Sequence, residues 1–254
     1  MSSQKMKPDL WVVLDNSTTP AEDWSVAKDY PGVLYERVYE QKPIGWLRNR
    51  CLELALENGA EYIVFWDDDD YYPPTRISTG VDALEKNPSA AISGTSKMYI
   101  LLTDKNVLMT TGPFHDMHAT AATLTIRRSY AEAHRFDPTK TKAEEVTFTE
   151  GWTAPMVQVT PEDMIVVMGH RRNTVDKSML ADTPSLFRAA FVNSDNGKFA
   201  FRAKWPVQWD LWKQTFSGGG CAPPPENSSL ETVQTVEVPT LHTGDTGGSV
   251  GHHA

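Results

Sequence analysis

The stretch that decides the fold is residues 61–76, EYIVFWDDDDYYPPTR. Five apolar residues, Tyr62-Ile63-Val64-Phe65-Trp66, run straight into Asp67-Asp68-Asp69-Asp70. A short apolar run without polar alternation is what a strand buried on both faces requires. Carboxylates at its end stand where open α/β sheets bind ligands, at the carboxyl edge. In an extended chain Asp67 and Asp69 face one way, Asp68 and Asp70 the other. Two carboxylates on one side raise each other's pKa unless a cation lies between them. Oxygen-only ligands suit Mg²⁺ or Mn²⁺, completed by water and substrate phosphates. A solvated acidic turn is the blander account, but four aspartates at a strand end favour the metal. A calcium loop is excluded by spacing. Counting from Asp67, a ligand position falls on Tyr71, the glycine position on Tyr72 and the closing glutamate on Ser78. The chain has no glycine-rich phosphate loop, nucleophile-elbow serine or His-Glu-x-x-His.

Moving outward, helical and extended patterns alternate. Residues 10–14, LWVVL, read as a strand ending in the turn-rich Asp15-Asn16-Ser17-Thr18-Thr19-Pro20. Residues 33–38 read as a second strand. Residues 44–58 place Leu47, Cys51, Leu54 and Leu56 near one helical face, and Asn58-Gly59 closes that helix. A further helix is expected over residues 74–85, opened by Pro74. Strand–helix–strand–helix at this spacing argues for βαβ units and a parallel sheet. The later part is more irregular. Residues 97–111 suggest a hairpin turning at Asp104-Lys105-Asn106; residues 123–126, 156–159 and 164–168 suggest strands, and residues 129–134 a short helix.

Composition bounds the function. The 254 residues are 40% hydrophobic and 22% charged, ordinary for a globular chain. The net charge of −9 leaves no basic footprint for phosphate backbones, so a nucleic-acid partner is not expected. Cys51 and Cys221 cannot build a disulfide framework, and no apolar run is long enough to span a membrane. A soluble, cytoplasmic protein is the expectation. From Ser217 onward Gly, Pro, Ser and Thr dominate and Lys and Arg are absent. The expected organisation is a domain over residues 1–216 and a flexible tail over 217–254, in which Val233, Val236 and Val238 could form a short strand.

Residues 44–76 taken whole, IGWLRNRCLELALENGAEYIVFWDDDDYYPPTR, resemble the core signature of GT-A-fold glycosyltransferases, especially the inverting family 2-like enzymes. These carry an Arg-Asn on a helix, an apolar strand, an Asp-x-Asp motif, then an aromatic and a proline. The later segments KMYILLTDKNVLMTT, TLTIRRSYAEAHRF, the Glu144-Glu145 pair and GHRRNT are similar to small virus- and phage-encoded enzymes of this type, including those that glycosylate capsid proteins. The resemblance covers roughly residues 8–178. It implies an α/β, GT-A-like (Rossmann-like) fold, a mostly parallel sheet flanked by helices with a smaller antiparallel portion.

It also implies roles. Asp67-Asp68-Asp69 would be the Asp-x-Asp, with Asp69 the direct metal ligand and Asp67 or Asp68 reaching the ribose or the metal. His170, at a strand exit, would complete the shell of Mn²⁺ or Mg²⁺, with Arg171 and Arg172 beside it. Arg48 would lie near the nucleotide diphosphate. The turn holding Asp15 and Ser17 would receive the base and ribose of a UDP-sugar, and Glu36 would supply another nucleotide contact. A divalent ion and an arginine are what a departing diphosphate needs. Inversion also needs a base for the acceptor hydroxyl; Glu145 would be that base, and Glu144 would bind the acceptor or orient the loop. The family's usual pair is Glu-Asp, so the choice between the two glutamates stays open. An acidic pair opening a helix is also simply favourable with the helix dipole.

Other features have weaker claims. His115, Asp116 and His118 form a polar knot read as an acceptor-side loop, with metal binding by the two histidines as the alternative. Of eight tryptophans, Trp205, Trp209 and Trp212 cluster in a segment better explained by core packing than by sugar stacking. The function expected is transfer of a sugar from a nucleotide-sugar to a hydroxyl of a glycan or protein-linked glycan. Two rivals stand beside it: a metal-dependent nucleotidyltransferase, which would release pyrophosphate, and a non-catalytic carbohydrate-binding or virion-associated module.

Overall fold

The computed structural model describes residues 3–17, 31–102 and 107–169, and the backbone of 190–191. Thr18, the turn at Asp104-Lys105-Asn106, His170, Arg171, Arg172, the tryptophans after 200 and the tail from Ser217 lie outside the described residues.

Strands β1 (Trp11–Asp15) and β2 (Val33–Arg37) pair in parallel, Trp11 opposite Val33 and Asp15 opposite Arg37. Helix α1 (Ile44–Glu57) follows, closed at Asn58 and Gly59, the latter at φ +80°. Strand β3 (Tyr62–Val64) comes next, then α2 (Arg76–Lys86) and β4 (Ile92–Gly94). Strands β5 (Met98–Leu102) and β6 (Val107–Thr111) form the expected hairpin. The remainder comprises β7 (Thr125–Arg127), α3 (Arg128–Ala133), the single-turn α4 (Glu145–Phe148), β8 (Met156–Gln158), β9 (Val166–Gly169) and β10 (Ala190–Phe191).

Besides the β1–β2 pair there are two four-stranded sheets, ordered β3-β7-β4-β8 and β10-β6-β5-β9. Pairing is more evenly mixed than the expected, mostly parallel sheet. Strand β7 enters between β3 and β4 antiparallel to both, while β4–β8 and β5–β9 are parallel. The antiparallel insertion has a geometric consequence. The segment leading into β7 arrives at the carboxyl ends of β3 and β4, where the aspartates are.

One core lies beneath that edge. Leu52 and Ala55 of α1, Phe65 just past β3, Ile92, Leu124, Ile126, Phe136 and Phe148 form a single cluster. Side chains at zero exposure, such as Leu52 and Ile126, each contribute about 1.5–3 kcal/mol by leaving water. Phe136 stacks on Phe148 at 4.0 Å, and Phe65 meets both edge-on. So the residues just before the aspartates and just after the acid pair share one packed floor.

The buried stripe of α1 differs from the apolar reading. It runs Gly45, Arg48, Leu52 and Ala55; of the expected face Leu54 is buried too, while Leu47, Cys51 and Leu56 are only partly covered. The stripe keeps helical period but contains a glycine and a cation, because both have neighbours that demand them. A Cβ on Gly45 would sit 2.0 Å from the Asp137 carbonyl, and the Gly45 amide donates to the Lys140 carbonyl at 3.1 Å. Asn49 exchanges two 2.8 Å hydrogen bonds with the backbone of Phe136. The first turns of α1 thereby fix the course of residues 136–140 on the way to the acid pair.

Candidate active site

Asp67 and Glu144 meet on one guanidinium. Arg48 Nε donates to Glu144 Oε1 at 2.7 Å, and its Nη2 to Asp67 Oδ1 at 3.0 Å. The Arg48 side chain is 9% exposed and that of Glu144 7%; its cation also lies over the Phe65 ring, 5.6 Å from the centroid. A guanidinium leaves water at a cost that acceptors of this kind offset. Three residues named from sequence alone, far apart in the chain, thus converge.

Glu145 opens α4 beside Glu144. Burial, with the charges of Glu144 and Asp67 adding to it, raises its carboxyl to about 7, against the pull of its own backbone amide and of Arg48. A carboxyl near neutrality is suited to take a proton and give it up again. Ala143, just before the pair, is left-handed at φ 53°, so the chain enters the pair through a strained residue.

The four aspartates divide their work. Asp70 accepts the Met168 amide at 2.8 Å, and the neighbouring Tyr71 bridges to Val166. Asp70 thereby fastens the loop to β9. The Asp67 amide donates to the hydroxyl of Tyr72, whose buried ring stacks on Trp66 at 3.9 Å. Asp68 stands at the edge, partly in water and partly screened from it by its neighbours. Desolvation, and then the charges of Asp69, Asp67 and Asp15, raise its carboxyl above the ordinary range. Asp15, Asp67, Asp68 and Asp69 thus concentrate negative charge at the strand end. Among the described residues no three of His, Cys, Asp and Glu stand close enough to hold a metal ion.

Asp15, at the end of β1, joins this edge through the same electrostatic contact with Asp68. Burial opposes its charge, but hydrogen bonds from the Ser17 hydroxyl and amide, the Tyr35 hydroxyl and Arg37 hold the carboxyl well below its usual range. Asn16 braces the turn, donating to the Val38 and Glu40 carbonyls and accepting the Lys42 amide. Tyr39, 87% exposed with the Arg37 guanidinium 5.9 Å from its ring, offers a bare aromatic face near the exit of β2. Glu36, expected as a further nucleotide contact, is engaged by a cation of α1. Its two oxygens take a fork from Arg50 at 2.9 and 2.7 Å.

Sequence reasoning passed over Arg76 as anything but an alignment anchor. It is fully buried at the start of α2 and makes no ion pair to a carboxylate among the described residues. Instead it donates to Thr125 Oγ1 at 2.9 Å and to the carbonyls of Phe65, Ala122 and Leu124. Burial lowers it to about 10. Arg76 ties the end of β3 to the segment entering β7, and so sets where the aspartates emerge.

The polar knot at 115–118 stands on the same edge, at its far side. Gln158, the last residue of β8, donates to the carbonyls of Asp116 and His118 and accepts the Ser96 amide. The His118 ring lies 4.4 Å from Trp152 and 4.7 Å from Phe114, with His115 at 5.7 Å. Burial, then His115, pulls His118 down to about 4, so its imidazole is neutral at pH 7.

The profile of glycosyl transferase family 2 matches residues 3–143, more than half of the chain, and the chain belongs to that family. The match ends immediately before Glu144-Glu145. Staphylococcus aureus TarS, residues 1–349, has a similar structure in complex with UDP-GlcNAc: TM-score 0.50 and 15% identity over 70% of this chain and 54% of that one. The same protein with UDP matches with TM-score 0.50 and 14% identity over 66% of this chain and 54% of that one. This chain therefore spans about half the length of those relatives, and the likeness establishes a GT-A α/β fold. No curated protein sequence matches the chain. Among the described residues no helix is long and apolar enough to cross a membrane.

Proposed function

We propose that the protein transfers a sugar from a UDP-sugar to an acceptor hydroxyl, with inversion at the anomeric carbon. The observation that carries this is Arg48 bridging Asp67 and Glu144, which joins the donor side and the acid pair within one side chain's reach. TarS with UDP-GlcNAc supports UDP as the nucleotide. The turn at Asp15 and Ser17, with Tyr39 beside it, offers the nucleoside a polar and aromatic seat.

The chain's own groups suit the chemistry. Glu145 takes the proton of the acceptor hydroxyl as that oxygen bonds to the anomeric carbon and the bond to the diphosphate breaks, releasing UDP. Glu144, held by Arg48, orients the acid pair, and Arg48 carries positive charge toward the leaving group. The oxygen donors Asp69 and Asp67, in the cluster of carboxylates around Asp68, fit a hard divalent cation such as Mn²⁺ or Mg²⁺. His170, outside the described residues, is the third ligand in this reading. When bound, the ion would neutralise the diphosphate as it leaves. The acceptor we propose is a glycan or protein-linked glycan, the class implied by the resemblance to small virus- and phage-encoded members. Membership of family 2 favours this reading over nucleotidyl transfer.

The test is thermal unfolding with UDP-, GDP- and dTDP-sugars, with and without Mn²⁺, for the wild type and Asp69→Ala. A bound donor raises the melting temperature by mass action. The expected result is a Mn²⁺-dependent rise with UDP-sugars that the variant loses. No rise with any nucleotide sugar, in a protein that melts cooperatively, would overturn the proposal.

A further inference from the structure

Phe114, His115, His118 and Trp152 form a ring cluster that the donor carboxylates and the acid pair leave unused. Two features separate it from ordinary packing. The link from α4 to β8 passes through three successive left-handed residues, Glu150 at φ 54°, Gly151 at 66° and Trp152 at 67°. Only the middle one is glycine, so two side-chain-bearing residues are held in a conformation they rarely adopt, a condition that gathers at ligand sites. The effect is to set the half-buried indole against two histidines rather than in the aliphatic core. Second, His118 Nδ1 is buried and has no hydrogen-bond partner among the described residues. A buried ring nitrogen without a partner is uncommon in settled packing and sets this ring apart from the core around it.

Position gives the cluster a meaning. Ala119 and Ala154, next to His118 and Trp152, belong to the same core cluster as Phe65 and Phe148, which underlie the aspartates and the acid pair. The register places Val64, Thr125, Ser93 and Val157 at one level across the sheet. Gln158, at the carboxyl end of β8, holds the backbone of Asp116 and His118, so the cluster stands at the carboxyl edge of a strand three spacings, about 14 Å, from β3. Beside it a shallow groove of about 450 Å³, lined by Asn87, Ser89, Asp116, Met117, Met156 and Gln158, continues along edge strand β8.

We propose that Trp152, with His118 and His115, is a platform for a pyranose ring of the acceptor. The apolar sugar face lies on the indole, hydroxyls bond to the Nε2 edges of the two histidines, and further sugar units extend along the β8 groove. The acceptor is therefore an oligosaccharide rather than a bare polypeptide side chain. This rests on the glycosyltransferase reading, and the test separates the two.

Saturation-transfer NMR would be run with methyl glycosides of glucose, galactose, mannose, N-acetylglucosamine and rhamnose, on the wild type, Trp152→Ala, Trp152→Phe and His118→Ala. UDP affinity would be measured on each protein by calorimetry with Mn²⁺. The expected result is saturation of at least one pyranoside that falls about fivefold or more in Trp152→Ala and is largely kept in Trp152→Phe, with UDP affinity held within about twofold in both. Retained UDP binding also shows that the variants are folded. Undiminished saturation in Trp152→Ala, or no pyranoside bound by a wild type that binds UDP, overturns the platform. Trp152-dependent pyranoside binding in a wild type that ignores UDP keeps the platform and sinks the glycosyltransferase reading. Binding of neither sinks both.

Discussion

Replacing Glu145 by glutamine should change how stability depends on pH, before any substrate is involved. In the fold the carboxyl titrates near 7, against 4.5 for the same group free of the fold. Between those values the native state holds a proton that the unfolded chain has released, so stability falls as pH rises through the window. The sign is opposite to that of a salt-bridged carboxylate, whose contribution grows with pH. Integrated from pH 5 to 8, the full shift corresponds to about 2.5 kcal/mol. Glu145 keeps some solvent contact, and screening should reduce this to about 1–2 kcal/mol. Urea unfolding of the wild type and Glu145→Gln at pH 5 and pH 8 gives the double difference, in which every other titrating group cancels. The variant should be the relatively more stable protein at pH 8. In turnover, the rise of kcat/KM with pH near 7 should vanish with the same substitution, with a loss of about 10²–10⁴-fold. If the two proteins keep parallel stability profiles, Glu145 is not the desolvated acid described above, and its assignment as base loses its physical support.

Arg48→Met strands Glu144 in the core without its cation and should cost about 3–5 kcal/mol in chemical unfolding, most of it recovered in Arg48→Met/Glu144→Gln, where no buried charge remains. Gly45→Ala drives a methyl into the Asp137 carbonyl; a loss of about 1–3 kcal/mol or more should appear as a lower urea midpoint at unchanged m. Asp70→Ala removes the acceptor of the Met168 amide and should lose about 1–3 kcal/mol, while Asp70→Asn keeps an oxygen there and should unfold close to wild type. Equal costs for the two Asp70 variants would refute the anchoring role.

The elements with long, unambiguous patterns were legible in the sequence. The strand before the aspartates, α1 with its Asn-Gly stop and the β5–β6 hairpin all lie where hydrophobic runs and turn residues put them. Strand β4 escaped because three residues, Ile92-Ser93-Gly94, carry no readable period, and its pairing is dictated by neighbours distant in sequence. The antiparallel entry of β7 was illegible for the same reason, since strand direction depends on what it meets. At the site, Arg48, Asp67 and Glu144 were named in advance and stand in one network. Glu36 was named as a nucleotide contact and Arg50 was not singled out; only the crossing of β2 with α1 makes them a pair. Arg76 was the deepest omission. A charged residue at the start of an amphipathic helix reads as solvent-facing, and nothing in local pattern foretells a guanidinium that donates to three backbone carbonyls.

The shared guanidinium of Arg48 makes the two halves of the site thermodynamic partners. A ligand that draws Asp67 away leaves Arg48 with Glu144 as its remaining counter-charge and tightens that contact. Linkage then requires the converse: whatever rearranges Glu144 must alter the affinity for the ligand at Asp67 by the same factor. Such reciprocity sets no order of arrival: in the proposed transfer, a nucleotide sugar at Asp67 and an acceptor at the acid pair would change each other's affinity by one common factor. An acceptor bound alone would find Glu144 still divided with Asp67 for the same cation, and so the chain discourages unproductive occupancy with a single side chain.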